Sequence, residues 1–160
     1  MNIFFLDKDP VKAAQAMCDK HIVKMVLETT QILCTVSWRY NIPAPYKMSH
    51  KNHPMTLWTG ETLPNWEWVL QHGFALAKEY TCRYDKEHKS QAILEWCKSH
   101  GGRPQKGIFT VPPLCMPKEY KTNNYVESYR NYYLGDKMKF AKWKLGNVPL
   151  WFVVGSIIEV

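Results

Sequence analysis

The sequence has no long hydrophobic run: no apolar stretch approaches the ~18–20 residues that a bilayer-spanning helix needs. It also lacks the basic-then-apolar opening of a secretory signal. Cysteine is sparse, with five scattered residues, no CxxC pair and no His at zinc-finger spacing. An odd, dispersed set of thiols argues against a disulfide framework and points to reduced thiols in a cytoplasmic protein. There is no glycine-rich phosphate loop, no nucleophile elbow and no HExxH helix, which disfavours the enzyme classes built on them. No internal repeat, low-complexity tract or dividing linker is present, so residues 1–160 are expected to form a single domain.

Positive charge and aromatic rings are abundant. Twenty-one Lys and Arg against 14 Asp and Glu give a formal net charge of +7 over 160 residues. That balance favours an anionic partner, nucleic acid first among them. Seven Trp, nine Tyr and six Phe supply core anchors and candidate stacking surfaces.

The patterning predicts a mainly α, compact fold with a long N-terminal helix and irregular, proline-rich connections. The short apolar run 3–6 ends at Asp7. Asp9 as N-cap and Pro10 at the first helical position then start a helix expected over residues 10–38. Residues 42–54 hold three prolines and read as a basic, mobile loop. Thr62 before Pro64 opens a second helix with an i,i+4 pair, Glu79 and Arg83. A short third helix over 90–99 stops at Gly101-Gly102. Residues 103–124 form an irregular connection, and a fourth helix is expected over 124–134. The closing segment 148–160 is apolar but too short to span a membrane, so a core-packing tail or terminal strand is expected.

Three constellations can carry chemistry. On the first helix, His21, Lys24, Glu28 and Gln31 fall within an arc of roughly 80° at ~100° per residue. Cys18, Ile22, Val23, Met25, Val26, Leu27 and Leu33 cover most of the remaining circumference, so the helix reads as buried nearly all round. Polar groups there must either pair, as Lys24 and Glu28 can at i,i+4, or line a wet cleft. The second constellation is the loop Ser49-His50-Lys51-Asn52-His53-Pro54, whose imidazoles, ammonium and amide can bind phosphate oxygens. His50 and His53 could also hold a metal, but no acid or thiol sits beside them. The third runs from Tyr125 to Lys144. Between Lys118 and Lys144 there are seven Lys or Arg against three acids, interleaved with aromatic rings. Rings that stack on bases and cations that neutralise phosphates suit a strand-binding surface, whereas Tyr125, Tyr129, Tyr132 and Tyr133 at helical spacing could instead fill the core.

Taken in order along the chain, these motifs resemble the pyrimidine-dimer DNA glycosylases, the small UV-repair N-glycosylase/lyases of the phage endonuclease V type and their bacterial relatives. The resemblance rests on Met1-Asn2-Ile3-Phe4-Phe5-Leu6, on Asp19-Lys20-His21-Ile22 with Glu28 seven residues beyond the His, on Lys51-Asn52-His53-Pro54, and on Tyr129-Arg130-Asn131-Tyr132-Tyr133 with Gly135 and Lys137. It covers about the first 55 residues and one later patch, while residues 61–105 have no recognisable counterpart. It implies damaged double-stranded DNA as partner, a bacterial or phage-infected cell as setting, and no metal or organic cofactor. No membrane and no obligate protein partner are expected.

The resemblance further implies that the N-terminal amine of Met1 attacks the sugar carbon as the damaged base leaves, forming an imine. Glu28 would stabilise the cationic sugar or move protons, and His21 with Lys24 would hold Glu28 ionised. Asn2, Lys20, Lys24, Lys51, Asn52, His53, Arg130, Tyr132, Tyr133, Lys137, Lys142 and Trp143 would contact nucleic acid. Asn2 and Leu27 stand where family members commonly carry Arg, which leaves a different lesion or modified base, or RNA, open as substrate. Two other classes compete: a noncatalytic nucleic-acid-binding protein using the same surface, and a metal-dependent nuclease using His50, His53 and an acid from elsewhere.

Overall fold

The computed structural model describes the backbone of residues 2–158 and the side chains of residues 2–157. Among them there are seven α-helices and no strand: α1 (Pro10–Ala16), α2 (Asp19–Arg39), α3 (Pro54–Thr59), α4 (Leu63–Tyr84), α5 (Gln91–His100), α6 (Tyr125–Tyr132) and α7 (Leu150–Ile158). A 3-10 turn, Lys118–Tyr120, precedes α6, and a π turn, Tyr133–Lys137, follows it. The mainly α expectation holds.

Local chemistry explains most helix starts. The Asp9 carboxylate accepts from the Val11 and Lys12 amides, Thr62 accepts from the Asn65 amide, and Asn124 accepts from the Glu127 amide. Pro10 and Pro64 sit in first turns, where a missing N–H costs nothing.

The single helix expected over 10–38 is two helices. Met17 and Cys18 are extended, with ψ of 141° and 160°, and they split α1 from α2. No Pro or Gly marks the break. Its cause is tertiary, because side chains distant in sequence take the carbonyls that a continuous helix would use. Arg83 donates to the Gln15 and Met17 carbonyls at 3.1 and 2.7 Å, and Trp143 Nε1 donates to the Ala16 carbonyl at 3.1 Å. The Asp19 amide that opens α2 donates to the Lys142 carbonyl at 2.7 Å. The orphan groups of both helix ends are thereby satisfied from outside.

α4 is the central element, packing on both α1 and α2, while α5 closes against α4 and α2. The apolar segment 3–6 runs through the interior with Phe5 at its centre. That ring is ringed by Trp58, Trp68, Tyr125 and Tyr129 at centroid distances of 4.5–5.8 Å. The segment therefore places residue 2 at the surface of a packed aromatic core.

Other expectations need correction. Val23 and Leu27 are exposed, so the first half of α2 is buried on one side only, while Ile32 to Ser37 are buried all round. The loop 42–54 is fastened rather than loose: Thr35 Oγ1 donates to the Ser49 carbonyl and accepts its amide, and Arg39 donates to the Lys51 carbonyl. The closing segment is helical, not a strand. Gly155 lets α7 lie directly on Leu134, whose Cδ1 would sit 2.6 Å from an added Cβ.

Arg83 has no exposed side-chain surface, and beyond the two carbonyls it holds Asp19 and Glu79, both at 3.0 Å. Removing one partner of such a buried network leaves the others uncompensated. Arg83→Ala should cost about 3–5 kcal/mol in urea unfolding, with Arg83→Lys recovering only part, because one ammonium cannot span this fork. A cost under 1 kcal/mol would show that the break between α1 and α2 does not depend on it.

His72 is wholly buried on α4 and donates Nδ1–H to the Pro10 carbonyl at 2.9 Å. Burial pulls its pKa down to about 4, with the Pro10 bond opposing. An unfolded His titrates near 6.5, so in this window the unfolded chain binds more protons. Stability should therefore be full above about pH 6.5 and drain as pH falls toward 4, by roughly 3 kcal/mol for this group at ~1.4 kcal/mol per unit. His72→Gln should remove that share of the slope, which unfolding curves at pH 7 and pH 4.5 would measure.

Candidate active site

A cleft of about 310 Å³ opens where α2, the start of the chain, the α3 N-cap and the α6–π segment meet. From α2 it receives His21, Lys24, Met25 and Glu28. Asn2 and Phe4 come from the N-terminal segment, His53 from the head of α3, and Cys115, Tyr132 and Lys137 from the C-terminal part. The cleft thus gathers residues from four distant parts of the sequence.

The acid of the cleft is Glu28, with side-chain exposure of 13%, and Lys24 Nζ lies 3.7 Å from it. Lys24 is far more exposed, at 66%. The pair is half wet, with the carboxylate recessed and the ammonium at the rim.

His21 is buried behind them. Its ring stacks on Phe4 at 4.4 Å between centroids and 15° between planes, and Tyr133 and Phe140 meet it edge-on. Its Nδ1 lies 2.5 Å from the Tyr133 hydroxyl. Burial, then Lys137, Lys24 and Lys20, pull its pKa down to about 3. The imidazole is therefore neutral at physiological pH. This corrects the expectation that His21 shares with Lys24 in holding Glu28 ionised, since a neutral ring offers no charge for that task.

His53 caps α3, its Nδ1 accepting the Met55 amide at 3.1 Å. Burial above all, with His50 assisting and Glu28 opposing, lowers its pKa. Asn2 is fixed by its Nδ2–H donating to the Cys115 carbonyl at 2.9 Å, while its Oδ1 accepts the Ile3 amide at 2.7 Å.

The remaining cations sit on an aromatic rim. Lys137 lies over Tyr132 at 4.6 Å and Lys20 over Phe140 at 4.7 Å. Tyr132 in turn leans on Tyr120, whose hydroxyl donates to Asp136 at 2.7 Å. Gly135 permits this approach, because a Cβ there would lie 2.3 Å from the Tyr120 ring.

Of the residues singled out from sequence, Asn2, His21, Lys24, Glu28, His53, Tyr132 and Lys137 line this cleft. Lys20 stands near its mouth. Met1 lies outside the described residues. Lys51 and Asn52 are exposed on the loop before His53, and Lys142 is exposed just before Trp143, all outside the cleft lining.

Two assignments to nucleic-acid contact, Tyr133 and Trp143, are corrected, and a third residue, Arg130, stands apart from the cleft. Tyr133 is fully buried with its hydroxyl on His21, so its ring cannot stack on a base. Trp143 is buried and bonded to the Ala16 carbonyl. Arg130 faces away from the cleft: its Nε donates to the Leu6 carbonyl at 2.9 Å, and it pairs with Asp7 at 3.6 Å beside Trp151. It lines a separate groove of about 570 Å³ with Asp7 and Trp151. That groove is larger than the cleft, and Lys8 and Glu127 line it beside the Asp7–Arg130 pair.

Sequence reasoning passed over Phe4, Met25 and Cys115, Met25 reading only as part of the apolar side of its helix. Phe4 belongs to the opening apolar run and carries no chemical signal of its own. Cys115 lies in the irregular connection, where nothing local points to a site. No group of three or more His, Cys, Asp or Glu among the described residues comes together as a metal-ligand set, so His50 and His53 gain no third ligand there. No helix among the described residues is long and apolar enough to cross a membrane.

A family model for pyrimidine dimer DNA glycosylases matches residues 1–92, more than half of the chain. The chain belongs to the pyrimidine dimer DNA glycosylase family. The match runs past the first 55 residues, through α4 and into the start of α5, so much of the segment read as an insert is part of the family's own pattern. The aromatic-basic segment 125–144 lies outside the match. No curated protein matched the chain in a comparison of sequences, and no solved structure matched it either.

For this DNA glycosylase, the two cations on α6 and the π turn should separate cleanly. Lys137→Ala should weaken binding to duplex DNA several-fold and reduce the salt slope by about one contact. Arg130→Ala should leave the slope unchanged and lower thermal stability instead. Equal salt-slope losses in both variants, measured by fluorescence anisotropy over a salt series, would place Arg130 on the DNA after all.

Proposed function

We propose that this family member is a DNA-repair N-glycosylase with AP-lyase activity, acting on pyrimidine dimers in double-stranded DNA. In this reading residues 1–160 work as one catalytic domain, through an imine formed by the α-amine of the N-terminal residue, Met1 in this sequence. The observation that carries the reading is that Asn2, one peptide bond from that amine, lines the same cleft as the recessed carboxylate of Glu28.

An α-amine has a reference pKa near 8, and neighbouring cations favour its free base. Lys24 and Lys137 provide such cations on the cleft wall. The amine's lone pair attacks the sugar C1′, the bond from C1′ to the damaged base breaks, and the base leaves with that electron pair and takes up a proton. Loss of the amine proton and opening of the sugar ring give a protonated imine, which Glu28 stabilises as the facing carboxylate. Removal of a C2′ proton, for which Glu28 is the available base, expels the 3′ phosphate and cuts the strand. Water then hydrolyses the imine and frees the amine.

The basic rim supplies affinity. Lys20, Lys24 and Lys137 neutralise phosphates, His53 with the neighbouring Lys51 and Asn52 contacts the backbone, and Lys142 extends the cationic surface past α2. Tyr132, half-exposed beneath Lys137, is the ring placed to stack on a distorted or extruded base.

Borohydride added during reaction with UV-irradiated duplex DNA should trap a covalent protein–DNA adduct, and prior acetylation of the N-terminus should abolish it. Glu28→Gln should bind irradiated duplex within a few-fold of wild type while cutting it at least 100-fold more slowly, the scale of a lost general base. Cleavage without a trappable adduct would exclude the imine. Tight binding without any product would leave a noncatalytic nucleic-acid-binding protein.

A further inference from the structure

We infer that His21 serves this cleft as a permanently neutral hydrogen-bond donor, its proton fixed on Nε2 by Tyr133, and that it binds a substrate oxygen rather than carrying protons. The inference rests on reading the cleft as the active site. It adds a state and a direction for the imidazole and gives Tyr133 the role of positioning residue.

The hydrogen-bond arithmetic around Tyr133 decides the tautomer. Its hydroxyl accepts from the Cys18 backbone N–H at 3.4 Å, a group that can only donate. The hydroxyl proton then has two places to go: His21 Nδ1 at 2.5 Å or the Cys18 sulfur at 3.6 Å. Sulfur is the weaker acceptor and the more distant one. The proton goes to Nδ1, which must therefore be bare, and in a neutral ring the remaining proton sits on Nε2.

Neutrality follows from the surroundings. His21 is 5% exposed, and the ammonium groups of Lys20, Lys24 and Lys137 all act against a second positive charge. The other ionisable groups near the ring are Cys18 and Tyr133 on its inner side and Glu28, His53 and Cys115 across the cleft. Cys115 and Tyr133 are both shifted upward by burial and stay neutral around pH 7, and among the described residues Glu28 is the carboxylate that shares the cleft lining with it. Phe4 on its face and Phe140 at its edge hold the ring plane. His53 repeats the pattern, since its Nδ1 also accepts a hydrogen bond and leaves Nε2–H as its donor.

A donor that never titrates suits an oxygen that gains negative charge during the reaction, such as the sugar oxygen freed on ring opening or the departing phosphate. Such preorganised donors need no reorganisation at the moment of reaction. A proton carrier would instead need a pKa near the working pH.

The experiment combines one spectroscopic arm with one kinetic arm. Long-range nitrogen–proton NMR of the free protein should show His21 with a protonated Nε2 and a bare Nδ1, unchanged between pH 5 and 8. In Tyr133→Phe, folded by circular dichroism, the proton should redistribute between the two nitrogens. On a duplex carrying one thymine dimer, that variant should lose about tenfold in kcat with KM unchanged. His21→Gln keeps a neutral N–H near the Nε2 position and should stay within about tenfold of wild type. His21→Ala should fall about 100-fold.

A proton on Nδ1, titration of His21 within that pH range, or Gln and Ala variants equally impaired would overturn the inference. So would a Tyr133→Phe variant with wild-type tautomer and rate. If wild type makes no cut at all, the glycosylase/lyase reading fails, and the spectroscopic arm still decides the tautomer by itself.

Discussion

The constraint on which the rest depends is the guanidinium of Arg83. It leaves the last turn of α4, crosses to the junction of α1 and α2, and engages two carbonyls and two carboxylates while itself shielded from solvent. A continuous helix from Pro10 would carry His21, Lys24 and Glu28 along the axis of α1. By consuming the Gln15 and Met17 carbonyls, Arg83 ends α1 and lets α2 restart on its own axis, with Asp19 as part of the hinge. The direction of α2 sets where its polar stripe points, so the cleft is oriented by a residue that does not line it. The arrangement is also electrically closed: one buried cation is matched by Asp19 and Glu79, and the planar fork satisfies carbonyls that would otherwise be orphaned.

The cleft keeps a recessed carboxylate and several ammonium groups together without stacking positive charge in the interior. Lys24 remains largely in water, and Lys20 and Lys137 rest on ring faces, which attract cations through their quadrupoles. The buried imidazole adds no charge of its own, since burial and the surrounding ammonium groups keep it neutral. The result is a graded potential, cationic at the rim and carrying one acid inside. Such a rim attracts a polyanion, and the recessed carboxylate suits the cationic intermediate of the proposed reaction, so in that reading the two tasks do not compete.

What was legible in the sequence follows the range of the interactions involved. Asp9-Pro10 and Thr62 announce their helices because a cap is a local bond, complete within four residues. The i,i+3 and i,i+7 spacing of His21, Lys24 and Glu28 likewise survives any tertiary context that keeps α2 helical. The break at Met17-Cys18 was invisible because its causes, Arg83 and Trp143, lie more than 60 residues away. Arg83 itself was visible as half of an i,i+4 pair with Glu79, but pairing on a helix surface and bridging a core look identical in one dimension. The same limit explains Tyr133 and Trp143. An aromatic next to Lys or Arg reads equally as a stacking surface and as an anchor, and only burial distinguishes Tyr132 at the rim from Tyr133 behind His21. α7 was missed because an apolar segment with Pro149 and Gly155 satisfies a terminal strand as well as a helix whose glycine accommodates Leu134.

The boundary of the family match divides the cleft along a functional line. Asn2, Phe4, His21, Lys24, Glu28 and His53 fall within residues 1–92, whereas Cys115, Tyr132 and Lys137 fall outside. The matched part thus holds the acid, both imidazoles and the start of the chain, the groups to which the proposed reaction gives the sugar carbon and the strand. The unmatched part supplies the wall on which the proposed reading places a displaced base. That wall hangs on the π turn, a backbone form that places one extra residue in a turn and is common where a side chain must be re-aimed. Here the turn carries Gly135 against Tyr120 and sends Lys137 over Tyr132. Sugar and phosphate are the same in every lesion, so the groups that act on them can be shared across a family. The groups that meet the base must differ with the lesion. In the proposed reading, reaction type would then rest on the first half of the chain and lesion choice on residues 115–137.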